Sequence, residues 1–148
     1  MPLVSRLMIR TALLYLALGS LFGALMLGNK GVPIHPMLWV LLPSHIQLVL
    51  LGWIVQLAMG VGVWILPRFV TTAAPRAAEQ LAWSAYGLLN LGLWLVVAGS
   101  LLPFWLSASW LRWLNALGGL AELLAALAFL GHAWPRIKPF ADVAVGER

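Results

Sequence analysis

The chain has 148 residues, 63% hydrophobic and 9% charged, with nine Lys and Arg against four Asp and Glu. Soluble domains carry about a quarter charged residues, so this composition describes a membrane protein, with room for about four spans of roughly 20 residues and none for a second soluble domain. Cysteine is absent, which excludes disulfides, thiolate metal sites and thiol catalysis, and the net charge of +5 is scattered at span ends, which excludes a nucleic-acid surface.

Arg6 and Arg10 precede an apolar run that is too long for a signal h-region and ends in no small-residue cleavage site, so residues 9–27 are expected to form a retained first span. Gly28-Asn29-Lys30-Gly31 is a turn cluster that should end it. Gly19 and Gly23 are four apart, so they share a helix face that another helix can approach closely. In the linker 29–44, Pro33, Pro36 and Pro43 argue against a long helix. Its apolar stretch Met37 to Leu42 is expected to lie along the bilayer surface, with Trp39 at headgroup depth. Ser44 is placed to cap the second span, 45–66, through its hydroxyl, and Pro67-Arg68 should close that span.

The third span, 81–102, stops before Pro103. The following connection carries Phe104, Trp105, Trp110 and Trp113, an aromatic belt at one interface. The fourth span, 115–133, closes at Trp134-Pro135-Arg136. Trp64-Ile65-Leu66-Pro67-Arg68 ends the second span in the same way, which interfacial anchoring explains more simply than a duplicated hairpin. The expected fold is an all-α, up-down-up-down, four-helix integral membrane bundle that forms a single domain over 1–148.

Arg6, Arg10, Arg68, Arg76, Arg136, Lys138 and Arg148 fall at one end of such a bundle, with only Lys30 and Arg112 at the other. The positive-inside rule then predicts a multi-pass protein of the inner (cytoplasmic) membrane with both termini in the cytoplasm.

The residues that could carry chemistry centre on the second span. Steps of three and four trace one face through His45, Val49, Gly52, Gln56, Met59 with Gly60, and Val63. Gly52 removes bulk one to two turns from the imidazole. Two helical turns, roughly 11 Å, are comparable with the width of a porphyrin, so a groove cut by Gly52 beside an axial histidine would suit haem iron. The structural alternative is an interfacial histidine, with Gly52 and Gly60 serving helix packing. His35 lies on the same side. It is a candidate second ligand or simply a loop residue, and a His35–His45 pair, or two His45 side chains across a dimer, would make bis-histidine haem. His45 alone would leave an open, gas-binding position. His132 lies at the other end of the bundle, roughly 30 Å away, and cannot share an iron with His45.

Three polar residues fall inside spans, where they are expected to be paired or bundle-facing. Glu122 lies at the depth of His45. It is either a haem-edge or proton-accepting group or an interhelical hydrogen-bonding partner of Ser100 or Tyr15. Gln56 and Asn90 lie near mid-depth and are plausible partners for each other. The candidate cofactor-binding set is therefore His45, Gly52, Gln56, His35 and Glu122, with His45 as the metal ligand.

The run from His45 through Gly52-Trp53 to Trp64-Ile65-Leu66-Pro67-Arg68 resembles the second helix of the haem–copper oxidase subunit I superfamily. That resemblance covers about 24 residues. It implies that His45 matches the ligand of a low-spin haem b on the outer side. The family's other spans, its second axial histidine, copper-site histidines and high-spin haem ligand have no counterpart here, so a complete oxidase or reductase is not expected. The resemblance instead implies a small b-type haem-binding relative of the subunit's N-terminal spans. Such a protein would serve electron transfer, gas or redox sensing, or a respiratory oxidase, as a homo-oligomer or within a respiratory complex. The alternative is a cofactor-free scaffold or accessory subunit of a respiratory complex.

Overall fold

The computed structural model describes residues 1–66 and 75–137, without the side chains of 75–78. Among these residues every regular element is a helix, in the order α1 (Leu3–Gly31), a 3-10 segment (Pro36–Leu41), α2 (Leu42–Gln47), a π-helical segment (Leu48–Val55), α3 (Gln56–Ile65), α4 (Pro75–Leu101) and α5 (Arg112–Ala133), with short 3-10 turns at Leu102–Phe104, Ser109–Leu111 and Trp134–Arg136. Four helical runs are long and apolar enough to cross a membrane: Leu3–Gly31, Pro36–Ile65, Glu79–Phe104 and Ser109–Arg136. This is the expected all-α, multi-pass four-helix bundle. The stop expected at Pro67-Arg68 and the polar tail from Lys138 lie outside the described residues.

The ends of the spans differ from the sequence reading. α1 is not broken at Gly28 but runs on to Gly31. The buried Asn29 makes this workable, because its Oδ1 accepts from the backbone N–H groups of Ile34 and His35, at 2.9 and 2.8 Å, where the chain leaves the helix. Val32 turns extended before Pro33, as a residue preceding proline tends to. The linker prolines do not keep the chain from coiling. Pro36 and Pro43 each occupy a first-turn position, where a missing N–H removes no hydrogen bond. The second span is therefore helical from Pro36 onward. Ser44 does not cap it: the residue lies inside α2, and its fully buried hydroxyl has no hydrogen-bond partner among the described residues. The capping side chain is His35, whose Nδ1 accepts from the Met37 N–H at 3.2 Å.

Mid-span, Leu48–Val55 widens into a π-helix, and the Gln56 N–H reaches back to the Leu51 carbonyl. Such wide turns recur at functional sites. Of the face traced from His45, Gly52, Gln56, Met59, Gly60 and Val63 are buried, while His45 and Val49 are partly buried and Leu48, beside Val49, takes the interior position at that level.

Two helical pairs build the bundle. α1 runs against the second span, where the Ser5 hydroxyl donates to the Gly60 carbonyl at 2.6 Å. Gly19 and Gly23 take up Val49 and His45 of that span, as their shared face suggested. α5 packs chiefly on α4. The two pairs meet in two apolar layers. Near the termini the layer contains Val4, Met8, Met59, Val63, Ala85, Leu89 and Ala125. Toward the opposite end it contains Tyr15, Leu48, Leu93 and Val97. Leucines at 117, 120, 123, 124, 127 and 130 of α5 remain exposed, the surface expected of a helix that faces lipid.

Candidate functional site

α2 carries His45 toward α1. Its Nδ1 lies 2.7 Å from the carbonyl oxygen of Gly19. A carbonyl can only accept, so this geometry assigns the proton to Nδ1 and leaves the lone pair of a neutral ring on Nε2. Nε2 has no hydrogen-bond partner among the described residues. Gly23 flanks the ring so closely that a Cβ there would lie 2.8 Å from Cε1. The small-residue face of α1 is thus a seat for the half-buried imidazole. A carbonyl that orients one ring nitrogen while the other stays available is the arrangement typical of metal-ligating histidines.

Gly52 does not open a groove beside it. A Cβ at Gly52 would meet Leu93 Cδ1 at 2.8 Å and the Tyr15 ring at 2.9 Å. The space that the sequence reading assigned to a macrocycle holds Tyr15 and Leu93 instead. The reason is packing between spans, which spacing along one helix does not display: α1 and α4 press side chains into the notch from both sides.

Gln56 is likewise committed to the bundle. Fully buried, its Nε2 donates to the Met8 carbonyl at 3.2 Å and to the Thr11 hydroxyl, and its Oε1 accepts from Asn90 Nδ2 at 3.0 Å. The expected Gln56–Asn90 pair is present. Asn90 also donates to the Tyr86 carbonyl at 2.8 Å and accepts from the Tyr15 hydroxyl at 2.5 Å. Trp94 Nε1 donates to that hydroxyl at 3.1 Å, with the two rings edge to face. A polar belt, Thr11–Gln56–Asn90–Tyr15–Trp94, thereby crosses the interior between the two apolar layers and joins α1, α3 and α4. Thr11, Tyr15 and Trp94 were not read as members of it, although Thr11 and Tyr15 are polar residues four apart within an apolar span.

Glu122 turns into the bundle, where it accepts from Gln47 Nε2. Its partner is neither Ser100 nor Tyr15, because α2 reaches over α4 at this level and Tyr15 is engaged by Asn90. The acid and His45 are nevertheless at similar depth, since Gln47 follows His45 by two residues. His35 is exposed, with its ring engaged as a cap. His132 lies at the opposite end, buried and stacked on Phe129 with ring centroids 6.3 Å apart. Among the described residues no three His, Asp or Glu side chains converge as a metal cage would require.

One histidine with an oriented ring and an available Nε2 suits a single axial bond to haem iron. The interior face at Gly52 and Gln56 does not suit the macrocycle. Comparison with known proteins adds no relative: the chain matches no protein-family model, no curated protein and no solved structure.

Proposed function

We propose that the chain is a b-type haem-binding membrane protein that resembles the N-terminal part of haem–copper oxidase subunit I. Its role is electron transfer, gas or redox sensing, or support of a respiratory oxidase. One observation carries the reading: Nδ1 of His45 faces the Gly19 carbonyl at 2.7 Å, which leaves Nε2 as the ligand nitrogen. His45 would hold the iron, and Gly19 and Gly23 would fix its ring. Gly52 and Gln56, packed inside the bundle, would not contact the macrocycle. Bound haem would supply one-electron chemistry.

Purified protein reconstituted with haem tests this by its Soret absorbance and haem per mole of protein. His45→Ala should lose nearly all bound haem and His132→Ala should keep it. Gly23→Ala is the sharper variant. Its new Cβ must push the imidazole off its seat, yet a side chain's far end can yield, so stability should hardly change. Disturbing an orienting partner lowers metal affinity about 10–100-fold, and a comparable loss of haem affinity is expected here. Haem content unchanged in His45→Ala would end the reading.

The second reading, a cofactor-free scaffold or accessory subunit of a respiratory complex, is favoured by the filled notch at Gly52 and by the hydrogen-bonded polar belt. A reconstituted parent protein that takes up no haem would support it. In either case we place the protein in the inner (cytoplasmic) membrane with both termini in the cytoplasm, on the seven-to-two bias of basic residues between the bundle's ends. A C-terminal alkaline phosphatase fusion should be inactive and a C-terminal fluorescent-protein fusion bright. The reverse pattern would invert the topology.

A further inference from the structure

At the end of the bundle opposite the termini, the connection from α4 to α5 borders a cleft of about 320 Å³. Gly99, Pro103 and Leu111 wall it, and Ser109, Arg112 and Asn115 supply its polar groups. All three polar side chains belong to exposed residues. The cleft sits at the tryptophan belt: Trp105, Trp110 and Trp113 are all more than half exposed around it, the depth at which indole rings meet headgroups. No described carboxylate neutralises Arg112, because Glu79 lies at the far end of α4 and Glu122 is bonded to Gln47. The first turn of α5 contains no acid, and no side chain caps it, so its amide dipoles add to the positive field around Arg112.

We propose that this cleft binds the phosphodiester of an anionic phospholipid. Arg112 holds two phosphate oxygens through its guanidinium fork, and Ser109 and Asn115 donate to the remaining oxygens or to headgroup hydroxyls. The apolar wall at Pro103 and Leu111 takes the first carbons of the acyl chains. Guanidinium is suited to this role because its planar donors match phosphate geometry, whereas the Lys30 ammonium at the same end is a point charge.

The test uses the full chain in detergent, titrated separately with phosphatidylglycerol and phosphatidylcholine and followed by native mass spectrometry, for the parent, Arg112→Gln and Lys30→Gln. Arg112 is exposed, so its replacement leaves the core intact. The parent should bind phosphatidylglycerol about fivefold more tightly than phosphatidylcholine, the effect of one interfacial basic residue. Arg112→Gln should abolish that preference and Lys30→Gln should retain it. Excess inorganic phosphate should not displace the lipid. An undiminished preference in Arg112→Gln, an equal loss in Lys30→Gln, or displacement by free phosphate at millimolar concentration would each overturn the assignment.

Discussion

Gly118→Ala should destabilise the bundle by about 1–3 kcal/mol, toward the upper end of what overpacking a helix contact costs. α4 and α5 cross where Gly92 faces Gly118. A Cβ at Gly118 would lie 2.8 Å from the Gly92 carbonyl oxygen, 3.0 Å from the Val96 backbone nitrogen and 2.6 Å from a Val96 methyl. The reciprocal Cβ at Gly92 would meet the Gly118 carbonyl oxygen at 2.7 Å. A crowded side chain can rotate away, but backbone cannot, so the helices must separate. Separation forfeits the close van der Waals contact that drives helix association in lipid, where apolar burial gives little. It also pulls Glu122, whose stem lies over Gly92, away from Gln47. The adjacent Gly119 is the control. It faces open space, and Ala there removes a flexible residue from a helix, so the change should stay within about 0.5 kcal/mol or favour folding slightly. Unfolding of both variants in mixed micelles titrated with dodecyl sulfate measures the difference. Equal shifts for Gly118→Ala and Gly119→Ala would mean that the crossing is not the contact described.

These two neighbouring glycines mark the boundary of what the sequence displays. Nineteen-residue hydropathy and a few prolines make the spans visible, because the bilayer requires every spanning backbone group to be satisfied within its own helix. The Gly19/Gly23 face was legible from spacing alone, and so was the Gln56–Asn90 pair, since buried amides at equal depth have few other partners. What one helix's periodicity lacks is the identity of its neighbour. Gly52 was read as a groove on geometry internal to the second span, yet Tyr15 and Leu93 come from other spans. Ser44 has the hydroxyl of a cap for a helix that begins at 45, but Pro43 tolerates the first turn and the helix begins earlier. Glu122 was placed correctly in depth and facing, but its partner, Gln47, lies 75 residues away in sequence. The π-helical turn had no visible signal, as Leu48–Val55 is uniformly apolar. His45 was recognised as the residue most able to carry chemistry. Its seat on Gly19 and Gly23 shows that the two features singled out on separate spans form one unit.

Asn90→Leu should cost more than Gln56→Met, although Gln56 is the more deeply buried of the two. The order follows from which groups each change strands. Without Asn90, the Gln56 Oε1 loses its donor and the Tyr15 hydroxyl loses its acceptor, and the hydrocarbon core of a bilayer offers no ready replacement. Without Gln56, Asn90 Nδ2 keeps the Tyr86 carbonyl at 2.8 Å, and Thr11 keeps the Leu7 carbonyl, also at 2.8 Å. A stranded buried polar group costs about 1–3 kcal/mol, whereas hydrogen bonds between membrane helices average about 0.6 kcal/mol and reach about 1.7. Asn90→Leu should therefore lose about 2 kcal/mol and Gln56→Met about 1 or less. The double variant should lose less than their sum, because with the Gln56 oxygen removed Asn90→Leu strands only the Tyr15 hydroxyl, giving a coupling of about 1 kcal/mol. The same belt sets the register of α1 against the second span, and that register brings the Gly19 carbonyl to His45. Gln56→Met, which removes the direct bonds from the second span to Met8 and Thr11 of α1, should therefore also weaken haem retention, while Asn90→Leu, which leaves those two bonds in place, should spare most of it. Four unfolding curves and four haem titrations on the parent, the two single variants and the double variant provide the cycle. Strictly additive losses, or a Gln56→Met variant less stable than Asn90→Leu, would show that the belt's bonds act independently and do not hold the three spans as one unit.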